Sequence, residues 1–134
     1  MAGQDIAMNA FQIVTDADYV YVEKGNNQGK ITVEDLKQQM GIYRINTTIP
    51  AGGQIEIPYS SGLIMIQDAS TNLIKAIAIL QSNNSGTVIV PAVSINFFSE
   101  VDNSICVKNT GDNTKYIVKN TYTISKTVVL TYIN

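Results

Sequence analysis

The 134-residue sequence has no histidine and one cysteine, so the side chains most used for proton shuttling and thiolate attack are absent or alone. Without an imidazole there is no Ser-His-Asp or Cys-His relay, and the common zinc sites lose a ligand type. Cys106 lies in Ile105-Cys106-Val107-Lys108, a setting in which a thiol acts as a small buried hydrophobe. No second cysteine exists to form an intramolecular disulfide. Asp16 and Asp18 share a turn and could touch a calcium ion, yet one short pair is far from the roughly six to eight oxygens a calcium shell needs. Glu56 and Glu100 have no spacing that marks a glycosidase pair. Gly25 to Gly29 followed by Lys30 does not fit the spacing of a phosphate-binding loop. The residue set therefore points to a protein that is not an enzyme, with no catalytic residues, metal site or cofactor.

Binding chemistry has more material. There are seven tyrosines and no tryptophan. Tyrosine suits interfaces and sugar platforms alike, because its body is apolar and its tip polar. Tyr19 and Tyr21 share one strand face; the other five are scattered, and each tyrosine taken singly reads more readily as a half-buried strand residue than as part of a binding face. Asn83 and Asn84, and the stretch carrying Asn109, Asp112 and Asn113, form polar loops that can face a ligand. Net charge is −2 with the basic residues dispersed, which excludes a nucleic-acid groove.

The elements that must position these residues begin with Asp18 to Gly41. Tyr19 to Val22 is rich in β formers, Gly25 to Gly29 is a loop, and Lys30 to Thr32 pairs back. Thr32 is an N-cap, its hydroxyl accepting from an otherwise unpaired backbone N–H. Glu34 and Asp35 favour the first turn of a helix through its dipole. Val33, Leu36 and Met40 make a narrow apolar stripe, and Gly41 ends the helix in the left-handed conformation. So short a helix must dock on something. Residues 1 to 9 read as an arm, and Ala10 to Val14 as a short apolar segment.

From Ile42 onward, short strands recur with turn signals roughly every ten residues, the spacing of a sandwich or barrel. The expected fold is mainly β, an antiparallel β-sandwich of jelly-roll-like or Ig-like kind with one short N-terminal α-helix. The expected domains are a strand-loop-helix attachment and oligomerisation module over 1–41 and a β-sandwich over 42–134. Residues 72–81 read as strand rather than helix. The last strand, Thr123 to Ile133, should turn Ile124, Val128, Leu130 and Tyr132 to one face, and would be a hazard as an uncovered edge. The expected core is Val20, Val22, Leu36, Ile55, Ile57, Ile64, Ile66, Ile77, Ile79, Val88, Val90, Ile105, Val107, Ile117, Val128 and Leu130.

Charged residues are 15% against about 25% in typical soluble domains, which suggests surface reserved for other protein. The longest apolar-rich stretch, Leu73 to Leu80, is broken by Lys75 and is far shorter than a membrane span. The opening residues have neither a basic nor an apolar signal region, so synthesis in the cytoplasm without a signal peptide is expected.

Tyr19 to Val22, Gly29-Lys30-Ile31-Thr32 and Asp35-Leu36 resemble the attachment-proximal segment of bacteriophage fibre and other virion appendage proteins. The texture of residues 47–70 is similar to the β heads of such proteins. The resemblance implies a virion-located homotrimer, with the N-terminal part bound to a major capsid or tail protein. The lack of a repetitive shaft fits a short head fibre or capsid-decoration subunit rather than a long tail fibre. Val33, Leu36, Met40, Tyr19 and Tyr21 are then the oligomerisation and attachment residues. The alternative is a non-catalytic carbohydrate-binding or host-adhesion module taking a host surface glycan. Neither reading calls for nucleic acid or a membrane.

Overall fold

The computed structural model describes residues 15–70 and 74–134, so the arm over 1–9, the segment Ala10 to Val14 and Leu73 lie outside the described residues. The described residues are mainly β, with several antiparallel sheets and one short helix. It divides into two compact units, Met1–Leu36 and Lys37–Asn134.

The first unit holds an antiparallel hairpin, β1 (Tyr19–Lys24) and β2 (Asn27–Thr32). Pairing runs to Lys24↔Asn27, so the reversal is only Gly25-Asn26, and Asn27 to Gly29, expected in a loop, are strand. Gly25 has φ 59°, the positive value that a two-residue turn with glycine in its first central place requires. Alternation holds: Tyr19 and Tyr21 are exposed while Val20 and Val22 are half-buried. Helix α1 (Val33–Gln39) begins directly after β2. Asp35 N–H donates to Thr32 Oγ1 at 3.0 Å, the expected N-cap. The helix is thus not N-terminal but the third element, and it contains no fully buried residue.

Among its described residues the second unit has nine strands in two sheets. Five of them, β3 (Ile42–Ile49), β5 (Gly62–Asp68), β6 (Ile74–Gln81), β7 (Ser85–Val90) and β11 (Lys126–Ile133), lie in the order β3-β11-β5-β6-β7. Thus β5, β6 and β7 form a meander, and β11 returns by a long connection beside the first of them, a Greek-key order. The other sheet is β4-β10-β9-β8, made of β4 (Gln54–Glu56), β8 (Ile95–Phe97), β9 (Ile105–Lys108) and β10 (Ile117–Asn120), with β8 and β9 parallel. Residues 72–81 are strand where described.

Side chains from both sheets meet in one core containing Ile49, Ile64, Ile66, Leu80, Leu130 and Tyr132 from one sheet and Ile105, Val107 and Val118 from the other. Of the expected core, Ile57, Ile64, Ile66, Ile105, Val107, Val128 and Leu130 are buried. Val20, Val22, Leu36, Ile55, Ile77 and Ile117 are only half-buried, and Ile79, Val88 and Val90 are exposed. The reason is strand parity. Along β6 the inward positions are Ala76, Ala78 and Leu80, and the isoleucines between them face out. Likewise Tyr116 and Val118 face inward around Ile117. Gly86 marks where β7 approaches β6: with φ 150°, a Cβ there would strike the Ile79 carbonyl.

The last strand also departs from expectation. It starts at Lys126, is paired on both sides, and buries Lys126, Val128, Leu130 and Tyr132, while Ile124 is exposed. It is a central strand and no edge hazard. Lys126 can sit inside because Asp68, fully buried at the end of β5, lies 3.6 Å from its Nζ, and because the ammonium also rests over the Tyr122 ring at 4.2 Å. Asp68 Oδ1 accepts from Ser70 N–H at 3.0 Å, but its Oδ2 accepts no hydrogen bond.

Buried polar groups elsewhere clasp the sheets. Asn120 donates through Nδ2 to the carbonyls of Ile49 at 2.9 Å and Ile124 at 2.8 Å, and accepts from Tyr122 N–H at 2.9 Å. Tyr116 donates from β10's start to the Gln81 carbonyl at the end of β6, joining the two sheets.

Two stability outcomes follow. Asp68→Ala leaves Lys126 buried without its carboxylate and is expected to cost about 3–5 kcal/mol in urea unfolding, whereas the apolar double replacement Asp68→Leu/Lys126→Met should recover most of that loss. Tyr132 has a buried hydroxyl with no partner, so Tyr132→Phe is expected to be neutral or stabilising by about 1 kcal/mol in the same measurement.

Candidate functional site

The five-stranded sheet has two faces of different character. Direct cross-strand partners share a face, so the register assembles outward rows. One row runs Ile42–Ile133–Leu63–Ile79–Thr87, and the next Arg44–Thr131–Met65–Ile77–Val90. Leu63, Met65, Ile79, Val90 and Ile133 are 38–47% exposed, an apolar surface over four adjacent strands. At the sheet margin β7 is an edge strand, and Val88 and Ile89 are exposed there too.

A third row, Asn46–Val129–Gln67–Lys75, borders the second. Between these two rows lies a shallow bowl of about 210 Å³, lined by Arg44, Met65, Gln67, Lys75, Val129 and Thr131. No Asp or Glu takes an outward position on the five strands, since Asp68 faces the core. Arg44 and Lys75 have no ion-pair partner among the described residues.

The outward face of the four-stranded sheet is built oppositely. Glu100, on the segment between β8 and β9, reaches Lys108 at 2.7 Å and Lys119 at 2.5 Å, and Glu56 reaches Lys115 at 3.6 Å. Hydrogen bonds from Lys108 and then Lys119 hold the Glu100 carboxyl down from 4.5 to about 2. The same segment lies over Cys106, whose thiol donates to the Val101 carbonyl at 3.5 Å, and the residue is fully buried. This face carries paired charges where the other carries apolar rows and two cations with no ion-pair partner among the described residues.

The residues singled out from sequence fall into separate places. Tyr19 and Tyr21 stand together on the hairpin, 51% and 63% exposed, with Lys30 Nζ 4.1 Å over the Tyr19 ring and Tyr21 donating to Glu23 at 3.0 Å. Val33 and Leu36 are half-buried on the helix, and Met40 is exposed beyond its end. Met40 belongs to the second unit and the other four to the first, so neither unit holds the whole set. In the loops, Asn84 and Asn109 spend their amides internally. Asn84 donates to the Phe98 carbonyl and accepts from Asn109 N–H, each at 3.0 Å. Asn109 donates to the Ser82 and Thr114 carbonyls at 3.1 and 3.0 Å and accepts from Gly111 N–H. These two asparagines staple the 82–86 turn to the 109–114 loop. Asn83, Asp112 and Asn113 remain exposed, the last two with positive φ.

Compared with protein-family models, curated proteins and solved structures, the chain matches none. Among the described residues no group of three or more His, Cys, Asp or Glu is placed to hold a metal, and no helix is long and apolar enough to cross a membrane. The outward face of the five-stranded sheet escaped sequence reading because Ile77, Ile79, Val88 and Val90 look like core residues. The signal that could have revealed it is the alanine pair, Ala76 and Ala78, which fit a tightly packed inner face.

Glu100 supplies the pH dependence of this region. A carboxyl with a lowered folded-state pKa contributes stability above its ordinary range and loses it as pH falls. The thermal unfolding temperature should therefore fall as pH drops from 4.5 to about 2, and Glu100→Gln should flatten that acid limb. Added salt should narrow the difference, as the group is exposed.

Proposed function

We propose that this chain is a non-catalytic structural protein of a bacteriophage virion, a head-fibre or capsid-decoration subunit that assembles as a homotrimer. The observation that carries the assembly part is the outward face of the five-stranded sheet, where Leu63, Met65, Ile79, Val90 and Ile133 expose a continuous apolar surface. Covering such a surface with another chain removes apolar area from water, the main favourable term in association. Its charges bear on symmetry. Two copies stacked face to face would set Arg44 and Lys75 opposite their own kind with no carboxylate to offset them. A head-to-tail contact between different patches avoids this, and when it closes it gives a ring such as a trimer. The phage part rests on the resemblance carried by Tyr19 to Leu36 and residues 47–70. In this reading the hairpin and helix attach to a capsid or tail protein, and the two sheets form a jelly-roll-like or immunoglobulin-like sandwich.

A second reading, a carbohydrate-binding or host-adhesion module, is favoured by the bowl between Arg44 and Lys75, which sets the polar Gln67 and Thr131 beside the apolar Met65 and Val129. The two roles are compatible on one particle.

Light scattering and sedimentation at micromolar concentration test the assembly. A trimer mass is expected for the native chain, and Ile79→Lys should release folded monomers; a monodisperse native monomer would overturn the reading. Leu36→Asp separates attachment from folding. It should impair attachment or oligomerisation while the transition of residues 42–134 persists, and one cooperative collapse of the chain would make the helix part of a single core.

A further inference from the structure

We propose that the bowl between Arg44 and Lys75 binds a small hydroxylated carboxylate, a ligand of the sugar-acid class. This rests on the carbohydrate-binding reading and adds to it the site and the charge of the sugar. Arg44 stands on β3 and Lys75 on β6, three strand spacings apart, or roughly 14 Å between backbones. Val129, Thr131, Met65 and Gln67, from the two strands between them, line the floor. A volume of 210 Å³ equals about seven waters at their liquid volume, room for a single ring rather than a drug-sized body.

The charge pattern selects an acid. The face has two cations, no carboxylate, and no internal partner for either cation among the described residues. The planar guanidinium of Arg44 can hold a carboxylate through two parallel hydrogen bonds, and Lys75 adds a second positive charge from the opposite rim. Gln67 and Thr131 offer an amide and a hydroxyl to ring hydroxyls, and Met65 and Val129 cover a C–H face. A neutral sugar would use the floor but leave both cations without a counter-charge. The apolar rows toward β7 stay free for assembly, with only Met65 common to both surfaces.

The test is a ¹H–¹⁵N NMR titration of the full chain with sodium glucuronate, glucose and sodium phosphate at matched ionic strength. Glucuronate is expected to shift the amides of Arg44, Gln67, Lys75 and Thr131 saturably, with glucose bound at least about tenfold more weakly for want of the charge-assisted contact. Phosphate, which keeps the charge, should bind at least about tenfold more weakly because it has no ring to cover Met65 and Val129. Arg44→Gln and Lys75→Gln should each weaken glucuronate by a similar factor with dispersed spectra, and if one of them disturbs the fold the other carries the comparison. Absence of saturable shifts at the bowl overturns the proposal, as does phosphate binding equal to glucuronate. Sugar-induced shifts confined to residues 83–84 and 109–113 also overturn it while leaving the carbohydrate-binding reading intact. A blank result on a broad glycan panel would instead count against that wider reading.

Discussion

The second unit depends on one ladder, the pairing of Lys126–Ile133 with β3 on one side and β5 on the other. The strand pairs over eight residues with β3 and over six, Val128–Ile133, with β5, so a one-residue slip on either side would turn every side chain to the wrong face. With this register, Val128, Leu130 and Tyr132 meet the core, and Val129, Thr131 and Ile133 face outward. The same register draws Lys126 inside and makes the Asp68 carboxylate necessary, since an ammonium taken out of water is costly unless it is paired. Core, outer face and bowl therefore follow from the position of a single central strand.

Around that ladder the two sheets are joined by polar side chains whose hydrogen-bonding groups are used inside the protein. Asn120, Asn109 and Asn84 lock turns to strand ends, and Tyr116 links β10 to the end of β6. Each amide spends its own polar atoms on backbone carbonyls or N–H groups, which is why it is tolerated away from water. The contrast between the outward faces then has physical content. One sheet neutralises its lysines with Glu56 and Glu100. The other leaves Arg44 and Lys75 without an ion-pair partner among the described residues, beside apolar rows, the character of a surface built for a partner or ligand.

Much of this was legible in the residues. The N-cap at Thr32, the left-handed Gly41 and the strand over Ile74–Gln81 follow from local rules that tertiary context did not override. Cys106 is buried, in keeping with its apolar neighbours. Less legible were the faces. In β6 both alternate positions are apolar, so period two alone could not say whether the alanines or the isoleucines point inward. In β7, Val88 and Val90 have the composition of a core strand and the position of an edge. Asn84 and Asn109 looked like ligand-facing loop residues because their sequence does not reveal which carbonyls lie within reach. The outward bowl combines residues from β3, β5, β6 and β11, far apart in the chain.

What the sequence by itself determined was the local chemistry: a mostly β chain, one short capped helix after a hairpin, no histidine-based catalysis, and few charges. These are properties of residue type and near-neighbour spacing, where backbone sterics, capping and alternation act within a few residues. The tertiary structure alone decided which face of each strand is inside, that the last strand is central, and that Lys126 has Asp68 beside it. It alone also brought Arg44 and Lys75 to opposite rims of one bowl. Strand order and register are long-range choices, settled by which apolar faces can close on one another, and local spacing does not encode that closure.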